Sequence, residues 1–274
     1  MTQVKAASGN KHDSLARRSA SAAVGIPILL LSIWAGGVWF IAVVVLAALL
    51  GVVELYRLGE VRNLWLQRIP GLALTLLLVL DGYLLFIVVM PFFVVGGLLA
   101  LGLYLWRVPS RLRSWLLTLT GPLYLGATLA YALLLRQVPQ GVRWVTLALL
   151  AVFAVDTSAY LIGRAVGRHR MAPKISPGKT WEGAAAGLVG GIGATLLLSR
   201  LLALPLSVTE ATALGMAVAI VAQAGDLLES AVKRAAKAKE SGWIIPGHGG
   251  MLDRLDSVVF TLVLVYYVAV GRVA

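Results

Sequence analysis

Apolar residues run along this chain in long blocks, each closed by a charged residue, a glycine or a proline. Bounded in that way, they predict spans near residues 21–35, 38–56, 70–89, 91–106, 115–135, 144–163, 183–204, 209–229 and 252–271. The first two form one apolar stretch, too long for a single crossing of a hydrocarbon core roughly 30 Å thick, and Gly36-Gly37 is the place to turn. The pattern predicts an all-α, polytopic integral membrane protein of about nine transmembrane helices. It divides into a basic N-terminal segment (1–20), a set of N-terminal transmembrane helices (21–140) and a C-terminal transmembrane region (141–274) that carries the candidate chemistry. The first apolar run lacks a convincing cleavage site, so it is expected to remain as an uncleaved span.

Composition sharpens this picture. Of 274 residues 59% are apolar and 13% charged, against about 25% charged in a soluble domain. The absence of cysteine excludes disulfides, thiolate nucleophiles and cysteine metal sites. A net charge of +12 suggests nucleic acid until its distribution is read. The N-terminus and the connections after the second, fourth, sixth and eighth spans hold all but four of the 24 Lys and Arg residues; the exceptions are Arg136, Arg143, Arg200 and Arg272. Basic residues resist translocation, so this bias expects a cytoplasmic N-terminus and a C-terminus on the opposite side. The charge reports orientation and contact with anionic lipid headgroups, not nucleic acid.

The carboxylates are few and unevenly placed. Five of the twelve fall between positions 226 and 256: Asp226, Glu229, Glu240, Asp253 and Asp256. An acid at membrane depth costs roughly 2–3 kcal/mol or more, so Asp156 and Asp226, near the ends of their spans, need a partner or a wet cavity. In "GDLLESAVKR" the helical repeat puts Asp226, Ser230 and Lys233 on one stripe, with Glu229 one position off. An interfacial salt-bridge ladder explains that stretch equally well on its own. Asp253 and Asp256, spaced i and i+3, share a helix face and repel unless a cation lies between them; a hard cation such as Mg²⁺ takes oxygen ligands and substrate phosphates together. Directly before them, Pro246-Gly247-His248-Gly249-Gly250 offers backbone N–H groups with little side-chain obstruction, which suits phosphate oxygens, and Lys233, Arg234, Lys237 and Lys239 lie just upstream. His248 has no partner at zinc-ligand spacing and is read as a hydrogen-bond donor.

A second polar region, "DTSAYLIGRAVGRHRMAPKISPGKTWEG" at 156–183, places Asp156, Tyr160, Gly163 and Gly167 on one helix face, followed by Arg164, Arg168, Arg170, Lys174 and Lys179. Its "SPGKTWEG" lacks the frame of a Walker A loop. Ser176, Lys179 and Thr180 remain candidate phosphate contacts. Glu54, near Arg57, reads as a paired boundary residue, and Asp81, in mid-span, has no assigned role.

These residues carry a resemblance. "SAVKRAAKAKESGWIIPGHGGMLDRLDS" is similar to the signature of bacterial phosphatidate cytidylyltransferases, or CDP-diacylglycerol synthases: S-x-x-K-R-x-x-x-K-D, a short spacer, then P-G-H-G-G-x-x-D-R-x-D. The preceding "GD", "DTSAYLIGR" and "ISPGKTWEG" resemble that family's pattern too, while the first 150 residues match only in hydropathy and span count. Glu240 departs from the usual Asp, and Gly178 stands where a basic residue is common.

The resemblance implies an enzyme that makes CDP-diacylglycerol and pyrophosphate from CTP and phosphatidic acid with Mg²⁺, a second cation being allowed. It implies Asp226, Asp253 and Asp256 as metal ligands and, with Lys233, as the candidate catalytic set. Lys233, Arg234, Lys239 and the turn Gly247, His248, Gly249 and Gly250 become candidate contacts for the triphosphate, and Arg254 a further candidate substrate contact. Arg164, Ser176, Lys179 and Thr180 are assigned to lipid or nucleotide phosphates, and Asp156 to orienting a cation or basic residue. The expected location is the bacterial cytoplasmic (inner) membrane, among membrane lipids and without nucleic acid; association into a homodimer is left open. The rivals are a CTP-dependent lipid kinase, which transfers the γ-phosphoryl group instead, a cation transporter, and a non-catalytic scaffold. Acids clustered at one face, with no pair of broken half-helices, argue against transport.

Overall fold

The computed structural model describes residues 11–61, 64–83, 96, 112–242, 244 and 249–273. In chain order the elements are α1 (Lys11–Ala35), α2 (Gly37–Leu58), α3 (Ile69–Tyr83), α4 (Leu112–Gly121), α5 (Thr128–Gln137), α6 (Gly141–Val166), β1 (Arg170–Ala172), β2 (Ser176–Thr180), α7 (Trp181–Leu201), α8 (Val208–Ala235), α9 (Leu252–Leu255) and α10 (Val258–Val273). Six stretches among the described residues are long and apolar enough to cross a membrane: Gly37–Leu58, Thr118–Gln137, Gly141–Val166, Trp181–Leu201, Val208–Ala235 and Leu252–Arg272. Ala23–Ala35 and Ile69–Tyr83 are shorter apolar helices. The protein is therefore a polytopic helical membrane protein, with six long spans described where the sequence predicts nine. Apart from residue 96, the predicted span at 91–106 lies outside the described residues, as do the end of the one at 70–89 and residues 1–10 of the basic N-terminal segment, whose remainder belongs to α1.

The turn between the first two spans falls where the glycines predict it. Gly36 and Gly37 have φ of 66° and 48°, a region costly for residues with a Cβ. The Arg136 guanidinium packs on Gly36 and donates to the Ile33 carbonyl at 2.8 Å, closing the end of α1 with a side chain from α5. The predicted fifth span is likewise a composite: α4 passes into α5 through a π-helical segment, Pro122–Ala127, which begins at the residue that cannot donate a backbone hydrogen bond.

Between lipid-embedded helices, burying one apolar side chain on another gives no hydrophobic gain, so association rests on close packing. The buried face of α7 shows this directly: Gly183, Gly187, Gly191, Thr195 and Ser199 recur every fourth residue. A Cβ on Gly183 would stand 2.8 Å from the Ala159 carbonyl of α6, and one on Gly215 of α8 would stand 2.7 Å from the Ile192 Cα of α7. The helices α6, α7 and α8 thus form one tight slab, against which α10 packs on α6 and α8.

The helical expectation holds, with one small addition. The polar connection after α6 folds as a two-stranded antiparallel hairpin, with Arg170 opposite Thr180 and Ala172 opposite Ser176. Trp181 N–H donates to the His169 carbonyl at 3.0 Å, and the His169 ring meets Glu182 at 2.6 Å, tying the hairpin base to the start of α7. Thr180 caps α7 by accepting from Gly183 N–H at 3.1 Å.

Candidate active site

The ends of α6 and α8, the start of α7, strand β2 and the segment entering α9 surround a cavity of about 1200 Å³. Its wall holds Asp156, Tyr160 and Arg164 from α6, Lys179 and Thr180 from β2, Gln223, Asp226 and Lys233 from α8, and Gly249, Asp253, Arg254 and Asp256 from the last segment. Lys239 and Glu240 also line it. Acids and bases up to about a hundred positions apart in sequence thus meet in one space.

Three ion pairs organise them. Lys179 reaches from the hairpin to Asp226 Oδ2 at 2.7 Å, while Ser230 Oγ, one turn along α8, donates to Asp226 Oδ1 at 3.3 Å. Lys233 lies between two acids, 3.0 Å from Glu229 Oε1 and 2.6 Å from Asp253 Oδ1. Asp253 is further fixed by backbone N–H groups, accepting from Ser241 at 3.1 Å and from Gly250 at 3.0 Å. Asp256 accepts from Ser257 N–H at 2.7 Å on one oxygen. That local bond competes with helix continuation, and residues 256 and 257 form the turn separating α9 from α10.

Glu229, one position off the Asp226 stripe and outside the expected site set, joins the ion-pair cluster. It is buried, and the Lys233 ammonium that stands 3.0 Å from it also pairs with Asp253. Carboxyl groups so placed repel unless a proton or cation lies between them, and Lys233 provides the cation on the Asp253 side. Tyr160, whose hydroxyl accepts from Arg164 at 2.9 Å, and Gln223 are further wall residues; only the helical face shared with Asp156 hinted at the tyrosine.

The expected phosphate contacts divide. Arg164, Lys179, Thr180, Lys239, Gly249, Gly250 and Arg254 lie at or beside the cavity, Gly249 with φ of 83°. Thr180 is buried and its hydroxyl oxygen is engaged in the α7 cap. Ser176 and Arg234 do not line the cavity; Arg234 donates to the Ile175 and Ala238 carbonyls at 3.1 and 3.0 Å, pinning the hairpin tip to the end of α8. Gly247 and His248 lie outside the described residues. Gly178 faces open space, so a longer basic side chain would fit there.

Among the described residues, no three acids or histidines stand close enough to enclose a metal ion by themselves. Mg²⁺ is commonly held by only one or two carboxylates, with waters and substrate phosphates completing its shell. Asp226 and Asp256 suit that arrangement, since both line the cavity. Asp253, with Lys233 and two N–H groups on its oxygens, is placed to hold the site rather than to offer a vacant donor.

The fold and the cavity together define a polytopic helical membrane protein whose polar cavity brings basic and acidic side chains face to face. The model of the family described as "Cytidylyltransferase family" matches residues 16–270. The chain is 36% identical over 239 residues to the phosphatidate cytidylyltransferase of Brucella abortus biovar 1 (strain 9-941), covering 85% of each chain. It is 31% identical over 235 residues to that of Bacillus subtilis (strain 168), covering 80% of this chain and 85% of the relative. A chloroplastic phosphatidate cytidylyltransferase 5 of Arabidopsis thaliana is 48% identical over 126 residues, or 46% of this chain and 31% of the relative. The chain belongs to the cytidylyltransferase family.

Proposed function

We propose that the protein transfers the cytidylyl group of CTP to phosphatidic acid, at a Mg²⁺-dependent site on the cytoplasmic face of a bacterial inner membrane. The observation that carries this reading is the convergence of Lys179, Lys233, Asp226 and Asp256 on one cavity at a single end of the bundle. A phosphate oxygen of the lipid attacks the α-phosphorus of CTP; a new P–O bond forms as the bond to the β-phosphate breaks, and its electron pair leaves on pyrophosphate. Such a reaction needs in-line positioning and neutralisation of negative charge more than covalent help.

Lys233 and Lys179 supply positive charge along the wall, with Arg164, Lys239 and Arg254 nearer the rim. Asp226 and Asp256 would hold Mg²⁺, which when bound neutralises phosphate charge and draws the two anions together. Tyr160 is exposed beside Leu161 and Ile162, which puts the cavity wall next to a lipid-facing surface. The cytoplasmic assignment is supported by the Lys and Arg bias, since the four exceptions belong to connections at the other end of the helices.

The test is purified protein with phosphatidic acid and CTP labelled on its α-phosphate, across a Mg²⁺ series. Label in the lipid with release of pyrophosphate is the expected result. Release of CDP, with unlabelled lipid, would identify a kinase and overturn the proposal.

A further inference from the structure

The boundary residue Glu54 has a setting that its sequence neighbours do not announce. It is fully buried on α2 and accepts three hydrogen bonds from a segment almost two hundred positions away: Ser241 Oγ at 2.9 Å, Met251 N–H at 3.1 Å and Leu252 N–H at 2.9 Å. The first N–H groups of a helix need acceptors from outside it, and α9 has no cap from its own side chain. Glu54 provides that cap from another helix. The fit depends on two glycines, because a Cβ on Gly242 or Gly250 would stand 2.4 Å from a Glu54 oxygen.

The groups that hold Glu54 also hold the cavity acid. Ser241 donates its hydroxyl to Glu54 and its backbone N–H to Asp253; Gly250, beside the two capped amides, donates to Asp253 as well. Asp253 in turn binds Lys233. A continuous chain of bonds therefore runs from an N-terminal helix to a cation on the cavity wall.

We propose that Glu54 is a positioning residue for the transfer reaction, fixing residues 241–242 and 250–252 so that Asp253 and Lys233 face the cavity in one arrangement. The inference rests on the cytidylyl-transfer reading above. By it, the N-terminal helices are part of the site's frame and not only a membrane anchor.

The test compares E54Q, S241A and the double variant in full-length purified protein, with E210Q as a carboxylate control at the far end of α8. Glutamine keeps the shape but turns an N–H group toward a backbone donor. Expected for E54Q is a kcat, per folded molecule and well below the melting temperature, lowered about 10- to 100-fold, the scale of a small misplacement at a reacting centre. Hydrogen exchange should quicken at Met251 and Leu252 while α6 and α7 stay protected. S241A, which removes one hydroxyl and serves if E54Q does not fold, should lower kcat about threefold to tenfold, and the double variant should be no worse than E54Q, since both act through one linkage. E210Q should leave kcat unchanged. Wild-type kcat and exchange in folded E54Q and S241A, or fully additive losses, would overturn the proposal. If the wild-type protein transfers no cytidylyl group, the chemical reading falls, while the exchange comparison still decides whether Glu54 locks the segment.

Discussion

The two ends of the helix bundle hold similar charged groups and use them differently. At the far end, Arg136 closes α1 on backbone carbonyls, and Ser207 and Glu210 form a reciprocal capping box at the start of α8, with Arg272 paired to Glu210. Each of these charges serves a helix terminus. At the cavity end the capping of α9 passes to Glu54, and Asp226 and Asp256 are left facing a common space with Lys179 and Lys233. Charges at the far end thus satisfy helix termini, whereas at the cavity end the backbone's needs are met by other groups and these side chains remain open to a ligand.

The largest effects are expected at the cavity end. Asp226→Asn and Asp256→Asn should each cut CDP-diacylglycerol formation by at least about 100-fold, with unchanged helix content and elution on size exclusion; near-normal turnover in either would remove it from the metal assignment. Asp253→Asn should also abolish turnover while the protein still inserts in the membrane. Lys233→Met comes next, because it leaves Glu229 and Asp253 buried without their shared cation. It should cost about 3–5 kcal/mol in a reversible unfolding titration as well as most activity, and an unaltered unfolding midpoint would show the pair to be dispensable. Gly215→Ala should lower stability by about 1–3 kcal/mol through overpacking against α7 backbone, leaving turnover per folded molecule intact. The smallest effect belongs to the far end: Ser207→Ala should cost about 1 kcal/mol in thermal unfolding and nothing in kcat. A loss of turnover there would erase the distinction between the two ends.

Much of this was legible along the chain because it is local. Apolar blocks located the long helices, two adjacent glycines located the first turn, and helical spacing linked Asp226, Ser230 and Lys233 to one face. Other features depend on distant segments meeting. The Lys179 to Asp226 pair joins a hairpin to a helix, and the Glu54 cap joins α2 to α9; periodicity within a window cannot register either. The hairpin was hidden by composition, since "MAPKISPGKT" reads as a cationic loop until Arg170 and Thr180 are seen opposite each other. The break at residues 256–257 arises from one aspartate bonding its neighbour's backbone, a detail finer than the apolar run that predicts a single span.

The stripe of small residues on α7 has a consequence for traffic. At Gly183, Gly191 and Gly215 the backbones of α6, α7 and α8 come so close that, among the described residues, an acyl chain has no room between these three helices. A lipid tail that met this slab would therefore be turned back toward the bilayer, and the helices keep their positions without a side chain larger than that of threonine on that face of α7.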